Sequence, residues 1–233
     1  MKRWFTIMAA VMLAVMLTAC SETADGVPDD AGKSSKALFV GREGGGDALA
    51  VKQLKNLGYE VYVVGDKELT TEQALNYGLV FVSSSVNSGR VSNKLKDSPV
   101  PVIYAESQNL GDVNLSGKAS DVDNGDYTGK AIAIREAGHP IADGLSGMVD
   151  VYQSDGKIGF VVPEGEGVIV ASAPDDERRA VIAAFEKGSK NMSGEPLPER
   201  RAYFYLVNGE EINQTDNGWK LFAATVRWAV GGK

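Results

Sequence analysis

From Ala37 onward the sequence predicts an α/β fold, a mostly parallel sheet flanked by helices, to which the C-terminal half adds antiparallel strands. Three observations predict it. Up to Asn109, short continuous apolar runs alternate with stretches of helical pattern, the rhythm of βαβ units whose strands are buried on both faces. Beyond Asn109 the apolar runs follow one another at intervals too short for helical crossovers, so several must pair antiparallel. The chain then closes on a stretch with apolar residues at helical spacing.

The elements follow in order. Ala37–Val40 (ALFV) is a buried strand, and after a glycine-rich turn a helix starts at Asp47, with Leu49, Val51, Leu54 and Leu57 toward the core and Gly58 in the C-cap position. Glu60–Val64 (EVYVV) is a second strand, Thr70–Asn76 a short helix, Leu79–Val82 (LVFV) a third strand, Ser88–Asp97 a helix and Pro101–Ala105 (PVIYA) a fourth strand. Parallel strands joined this way take right-handed crossovers. The strand-rich half comprises Ala131–Arg135, Val149–Gln153, Ile158–Val162, Gly167–Ala173, Ala180–Glu186 and Ala202–Leu206. Asp216 is the expected cap of a terminal helix carrying Trp219, Phe222, Val226 and Ala229 or Val230 on one face. Those aromatic residues fit core packing better than a sugar-stacking platform, because such spacing normally faces a sheet. No second linker interrupts the pattern, so residues 37–233 read as one domain.

The first 36 residues obey other rules. Lys2 and Arg3 precede an apolar run, Trp4–Leu17, that is short for a membrane span and ends in Leu17-Thr18-Ala19-Cys20. This segment resembles a bacterial lipoprotein signal peptide, residues 1–19, with Leu17–Cys20 as its lipobox. The resemblance implies cleavage before Cys20 and acylation of that cysteine, a membrane partner through the acyl chains, and a place in the cell envelope. Ser21 at the next position is compatible with the outer membrane where the host has one. Residues 20–36 then form a lipidated cysteine and a polar tether. As a flexible coil of about sixteen residues it holds the domain roughly 20 Å from its anchor.

Composition narrows the function. The chain carries 24 Lys and Arg against 31 Asp and Glu, a net charge of −7, and loss of Lys2 and Arg3 on cleavage takes it further negative. An acidic chain without a basic block argues against a nucleic-acid partner. Cys20 is the single cysteine and His139 the single histidine. Spending Cys20 on lipid leaves the fold with neither a disulfide nor a thiol nucleophile, and zinc sites built from several His or Cys ligands are excluded. No metal or other cofactor is expected.

In an open parallel sheet, ligands bind beyond the carboxyl ends of the strands. The residues there are polar: Arg42, Glu43 and Asp47 around three glycines after the first strand, Asp66 after the second, Ser83, Ser84, Ser85 and Asn87 after the third, Glu106, Ser107 and Gln108 after the fourth. The loop Gly41–Asp47 offers backbone N–H groups and Arg42 to an anion, or is simply a tight turn. It lacks the Lys-Ser/Thr ending of a P-loop, and Glu43 and Asp47 repel phosphate. The triple serine has no Gly-x-Ser-x-Gly elbow, and only His139 is available as its base, which favours hydrogen bonding over nucleophilic attack. A carboxylate pair drawn from Glu43, Asp66 and Glu106 is the alternative for glycoside hydrolysis. His139 is either a base near the crevice or, as favoured here, a residue hydrogen-bonded within the turn that starts Pro140-Ile141.

With these residues in view, the chain resembles the class I glutamine amidotransferase-like superfamily, a flavodoxin-like architecture, and within it the ThuA-like secreted bacterial domains. The motifs that carry the resemblance are Gly138-His139-Pro140-Ile141-Ala142-Asp143-Gly144-Leu145, Arg200-Arg201-Ala202-Tyr203-Phe204-Tyr205, Asp216–Phe222 and Trp228-Ala229, in that order. The family's nucleophilic cysteine follows the strand matching Pro101–Ala105, where this chain has Glu106, and no His-x-Glu partner follows. A carboxylate cannot form the thioester on which glutamine hydrolysis depends. The resemblance therefore implies the fold without its best-known activity: a non-catalytic domain that binds or scaffolds a polar ligand such as carbohydrate. Arg42, Glu43, Asp66, Ser83, Ser84, Ser85, Asn87, Glu106 and Ser107 are the candidate contacts, and Glu106 is the one catalytic candidate. The alternatives are a carboxylate-dependent or metal-assisted glycan hydrolase using Glu106 with Asp66 or Glu43, and an envelope protein-interaction module.

Overall fold

A computed structural model describes residues 35–232, so Cys20, the signal segment and nearly all of the tether lie outside the described residues. Five parallel strands form one half of the sheet, in the order β2 (Glu60–Val64), β1 (Lys36–Val40), β3 (Leu79–Val82), β4 (Val102–Tyr104) and β11 (Arg201–Phe204). β11 lies last in sequence, yet it pairs parallel with β4, joining the chain's end to its beginning. Beyond it the sheet continues antiparallel through β10 (Ala180–Phe185), β9 (Val168–Ser172), β6 (Ala131–Ile134) and β7 (Gly147–Asp150). A side ladder of β5 (Asn124–Gly129) and β8 (Gly156–Val161) branches from β10.

Alternation along β1 divides the core. Ala37 and Phe39 face one layer with Phe81, Ile103 and Phe204, covered by α1 (Asp47–Asn56) and α4 (Asp216–Ala229). Leu38 and Val40 face the other with Val80, Val82, Val102 and Tyr203. Phe39 stacks on Phe81 at 5.3 Å, and Phe81 meets Phe222 of α4 at 5.5 Å. Apart from the edge strand β2, whose residues are exposed or half-buried, the apolar runs of the parallel half are buried on both faces, as parallel strands under two layers require. In α4 the expected stripe packs inward, with Phe222, Val226 and Ala229 buried, and Trp219 against the core.

Several elements differ from expectation for local reasons. Thr215 caps α4, accepting the Gly218 N–H at 3.1 Å, and Asp216 is the first helical residue. The helix expected over Ser88–Asp97 is a single turn, α2 (Ser88–Val91), because Ser92 takes φ 47° and ends it. Thr70–Asn76 tightens to a 3₁₀ turn over Glu72–Asn76. The polar run NGDYTG, given no strand by periodicity, becomes β5 because β8 supplies a full antiparallel ladder. A short helix α3 (Gln108–Asp112) follows β4 unannounced.

Candidate ligand-binding cleft

The crevice where the strand order reverses, between β1 and β3, is filled by the protein itself. Asp47 is 1% exposed and accepts three hydrogen bonds, from Ser83 Oγ and Ser85 Oγ at 2.5 Å each and from the Arg42 N–H at 2.7 Å. Gly41 makes room for this knot, since a Cβ there would stand 2.7 Å from the Asp47 carboxylate and 2.6 Å from the Phe39 ring. Glu211, also buried, lies over Gly46 so closely that a Cβ would overlap its carboxylate. That carboxylate accepts the Gly209 N–H at 2.7 Å, and burial pushes its pKa up. The start of α1, for which the sequence left open an anion site or, as the favoured reading, a tight turn, is occupied by two carboxylates of the chain. Arg42 and Glu43 point away, exposed, and Ser83 and Ser85 spend their hydroxyls inward.

Asp66 and Asn87 form a separate latch. The Asn87 N–H donates to the Asp66 carboxylate at 2.7 Å and Arg90 approaches it at 3.5 Å, which together hold it below the usual carboxylate range. This pairing ties the loop after β2 to the loop after β3.

A polar hollow lies farther along the sheet, beyond the carboxyl ends of β4 and β11. A cavity of about 280 Å³ is bounded there by Ser84, Glu106, Ser107, Asn124, Gly159 and Tyr203, with Asp121 and Asp126 at its edge. Ser84 bridges the loops, donating to the Leu206 carbonyl at 3.1 Å and accepting the Asn208 N–H at 2.5 Å. Glu106 follows β4 and accepts the Gln108 N–H at 3.2 Å. Burial pushes its carboxyl up to about 7, and the nearby Asp112 adds to the rise. Tyr203 also lines the cavity; it is fully buried, and its hydroxyl has no hydrogen-bond partner. Gly159 is what admits it, because a Cβ at that position would overlap the phenol oxygen. A buried phenol without a partner forfeits a hydrogen bond unless something entering the cavity supplies one.

Of the residues proposed from sequence, Ser84, Glu106 and Ser107 meet in this cavity, whereas Arg42, Glu43, Asp66, Ser83, Ser85 and Asn87 do not line it. Neither Asp66 nor Glu43, the partners weighed for Glu106 in hydrolysis, lines the cavity with it. Asp66 is held in its latch, and Glu43 borders a groove between α1 and β2 with Lys52 and Tyr62. Sequence reasoning missed Asn124, Asp121, Asp126, Gly159 and Tyr203, all contributed by the strand-rich half. The available signal was Tyr203 itself, a polar-tipped residue inside the apolar run Ala202–Leu206.

The resemblance would put Glu106 where a nucleophile stands, yet the non-glycine residues with positive φ among those described are Ser92, Asn114, Asp121 and Asp143. Glu106 is thus not presented on a left-handed turn. Among the described residues no three His, Cys, Asp or Glu side chains gather as a metal site would. His139 takes the structural part expected of it: Nδ1 accepts the Ile141 N–H at 3.2 Å, and the ring lies 5.6 Å from Trp228. Burial lowers its pKa, which keeps Nδ1 free to accept.

No protein-family model matches the chain, and no curated protein matches its sequence. Among solved structures it is similar to a glutamine amidotransferase from Thermotoga maritima, with a TM-score of 0.51 and 9% identity over 84% of this chain and 98% of that one. A protein from Thermoplasma acidophilum, described as one of the subunits of a GMP synthase, gives a TM-score of 0.49 and 12% identity, over 83% of this chain and 96% of that one. Parallel β2-β1-β3-β4 order, helices on the sheet and the likeness to the Thermotoga protein agree: this chain has a glutamine amidotransferase-like α/β fold.

Proposed function

We propose that this protein is a lipid-anchored component of the cell envelope whose amidotransferase-like fold holds a small, hydroxyl-rich ligand, carbohydrate being the leading class, without hydrolysing glutamine. The observation that carries the proposal is that the unpartnered Tyr203 phenol and Glu106 line the same polar cavity. A polar cavity with convergent groups and a perturbed carboxyl supports a binding site. The loss of amidotransferase chemistry is supported by composition, since the only cysteine is Cys20 in the lipobox-like segment. The protein-interaction alternative has less to stand on. The exposed large apolar residues, such as Leu75, Met148, Met192 and Ile212, come from different elements rather than one stretch.

Two measurements test the proposal. The anchor predicts that labelled palmitate is incorporated by the wild type and lost in Cys20→Ser; an unlabelled wild type removes the anchor from the proposal. For the cleft, the full chain in neutral detergent is unfolded thermally against neutral sugars, amino sugars and short peptidoglycan fragments. A ligand at a hundred times its Kd adds about 2.7 kcal/mol, an upward shift of about 5 to 11 °C for a domain of this size. Tyr203→Phe is expected to leave the unliganded protein at least as stable, because it removes an unpaired hydroxyl, while abolishing most of the shift. A panel without any shift, or a shift indifferent to Tyr203→Phe and Glu106→Gln alike, overturns the cleft as the site.

A further inference from the structure

The cavity beside Glu106 is acidic as well as polar. Glu106, Asp121 and Asp126 all line it, and no lysine or arginine does. Asp126 meets Lys157 at 3.5 Å in an exposed pair, and the Asp121 carboxylate accepts from Ser120 Oγ at 3.5 Å. Exposed contacts of that length compensate charge only weakly. Glu106 is the part-buried member and Asp121 and Asp126 are exposed, so a cation entering the hollow is attracted by all three where a neutral group is not. The three do not converge on a point as metal ligands do. The cation they favour is therefore one carried on a larger body that spans them. Tyr203 adds an independent demand, since its buried oxygen, cradled by Gly159, lacks a partner. An ammonium has three donors and no acceptor, the complement of an unpartnered oxygen and a carboxylate that line one hollow.

The rest of the ligand has somewhere to lie. Gln108, Ser120 and Asn124 border both this cavity and a second hollow of about 310 Å³, which extends to Ser88 and the Lys118–Asp112 ion pair at 3.1 Å. Hydroxyl and amide groups along that path suit hydroxyls on the ligand.

We infer that the ligand of this cleft is a small hydroxyl-rich amine, seated with its ammonium between Glu106, Tyr203 and the Asp121–Asp126 edge. The inference rests on reading the cleft as the ligand site, and deepens it by fixing the charge of the group bound. Its test is a set of matched pairs, glucosamine, galactosamine and mannosamine against glucose, galactose and mannose, titrated calorimetrically into the full chain in neutral detergent at neutral pH. At least one amino sugar is expected to bind tenfold or more tightly than its neutral parent. That preference should fall with added sodium chloride and fall again in Asp121→Asn. Asparagine tolerates the positive φ of Asp121, so this variant removes charge without straining the loop. Parents that bind as tightly as their amino sugars overturn the ammonium and leave the cleft standing. Binding by neither series overturns the amine, and the cleft then stands or falls by the wider thermal panel.

Discussion

Replacing Arg201 by methionine is expected to cost about 4 kcal/mol of folding stability, a large share of the 5–15 kcal/mol of an ordinary domain. The prediction rests on where the guanidinium sits. Arg201 is 1% exposed and donates to four backbone carbonyls, those of Val100 at 3.1 Å, Arg200 at 3.0 Å, Ser98 at 2.6 Å and Lys96 at 3.3 Å. Methionine fills much of the space but donates nothing, so several carbonyls lose their partner at about 1–3 kcal/mol each when water cannot reach them. Arg201→Lys keeps the charge but not the planar fork, and should fall between the two. The consequence reaches the cleft, because Arg201 pairs with Val102 and Tyr203 with Tyr104 in one parallel ladder, so the clamp sets the depth of β11. Urea unfolding of both variants checks it; a loss below about 1 kcal/mol for Arg201→Met means that the carbonyls find other donors, and the clamp is discarded.

Glu106→Gln is expected to change the pH dependence of stability in one direction. Burial raises the folded-state carboxyl from 4.5 to about 7, so between these values the folded protein binds more protons than the unfolded chain. The stabilisation that protonation provides is fully present below about pH 4.5 and is lost as pH rises through about 7. The two values bound the effect at about 3 kcal/mol. Relative to wild type, Glu106→Gln should therefore gain up to that amount between pH 4.5 and pH 8, because glutamine never ionises. Glu211, also raised by burial, tilts both proteins alike and cancels in the difference. Parallel stability curves for the two proteins would falsify the placement of Glu106 in a poorly hydrated cavity. The same titration bears on binding, since only the ionised carboxylate attracts an ammonium.

The parallel half of the sheet was legible because its strands are nearly continuous apolar runs. β2 and β3 fall on the predicted residues, and the β1 and β4 predictions differ from the structure only at their ends. Burial on both faces leaves β1, β3 and β4 little else to do, while β2 extends the sheet as its half-exposed edge. The β5–β8 ladder was not legible, since Asn124–Gly129 has no apolar alternation and becomes a strand only through its partner. Likewise, polar residues after strands were correctly sought, but sequence cannot tell which of them turn inward. Ser83 and Ser85 differ from Ser84 only in which group faces their hydroxyls, Asp47 in one case and the cleft-side loops in the other.

By itself the sequence determined the α/β class, the parallel strands, the terminal helix, the acidic balance and the absence of any thiol beyond Cys20. These follow from residue type and local period, which burial and charge read directly. Only the tertiary structure decided that the β1–β3 crevice is plugged by Asp47 and Glu211, and that Glu106 and Tyr203 line one polar cavity. The reason is distance along the chain: Asp121, Gly159 and Tyr203 come together only after β5, β8 and β11 have paired, and no local pattern records that pairing.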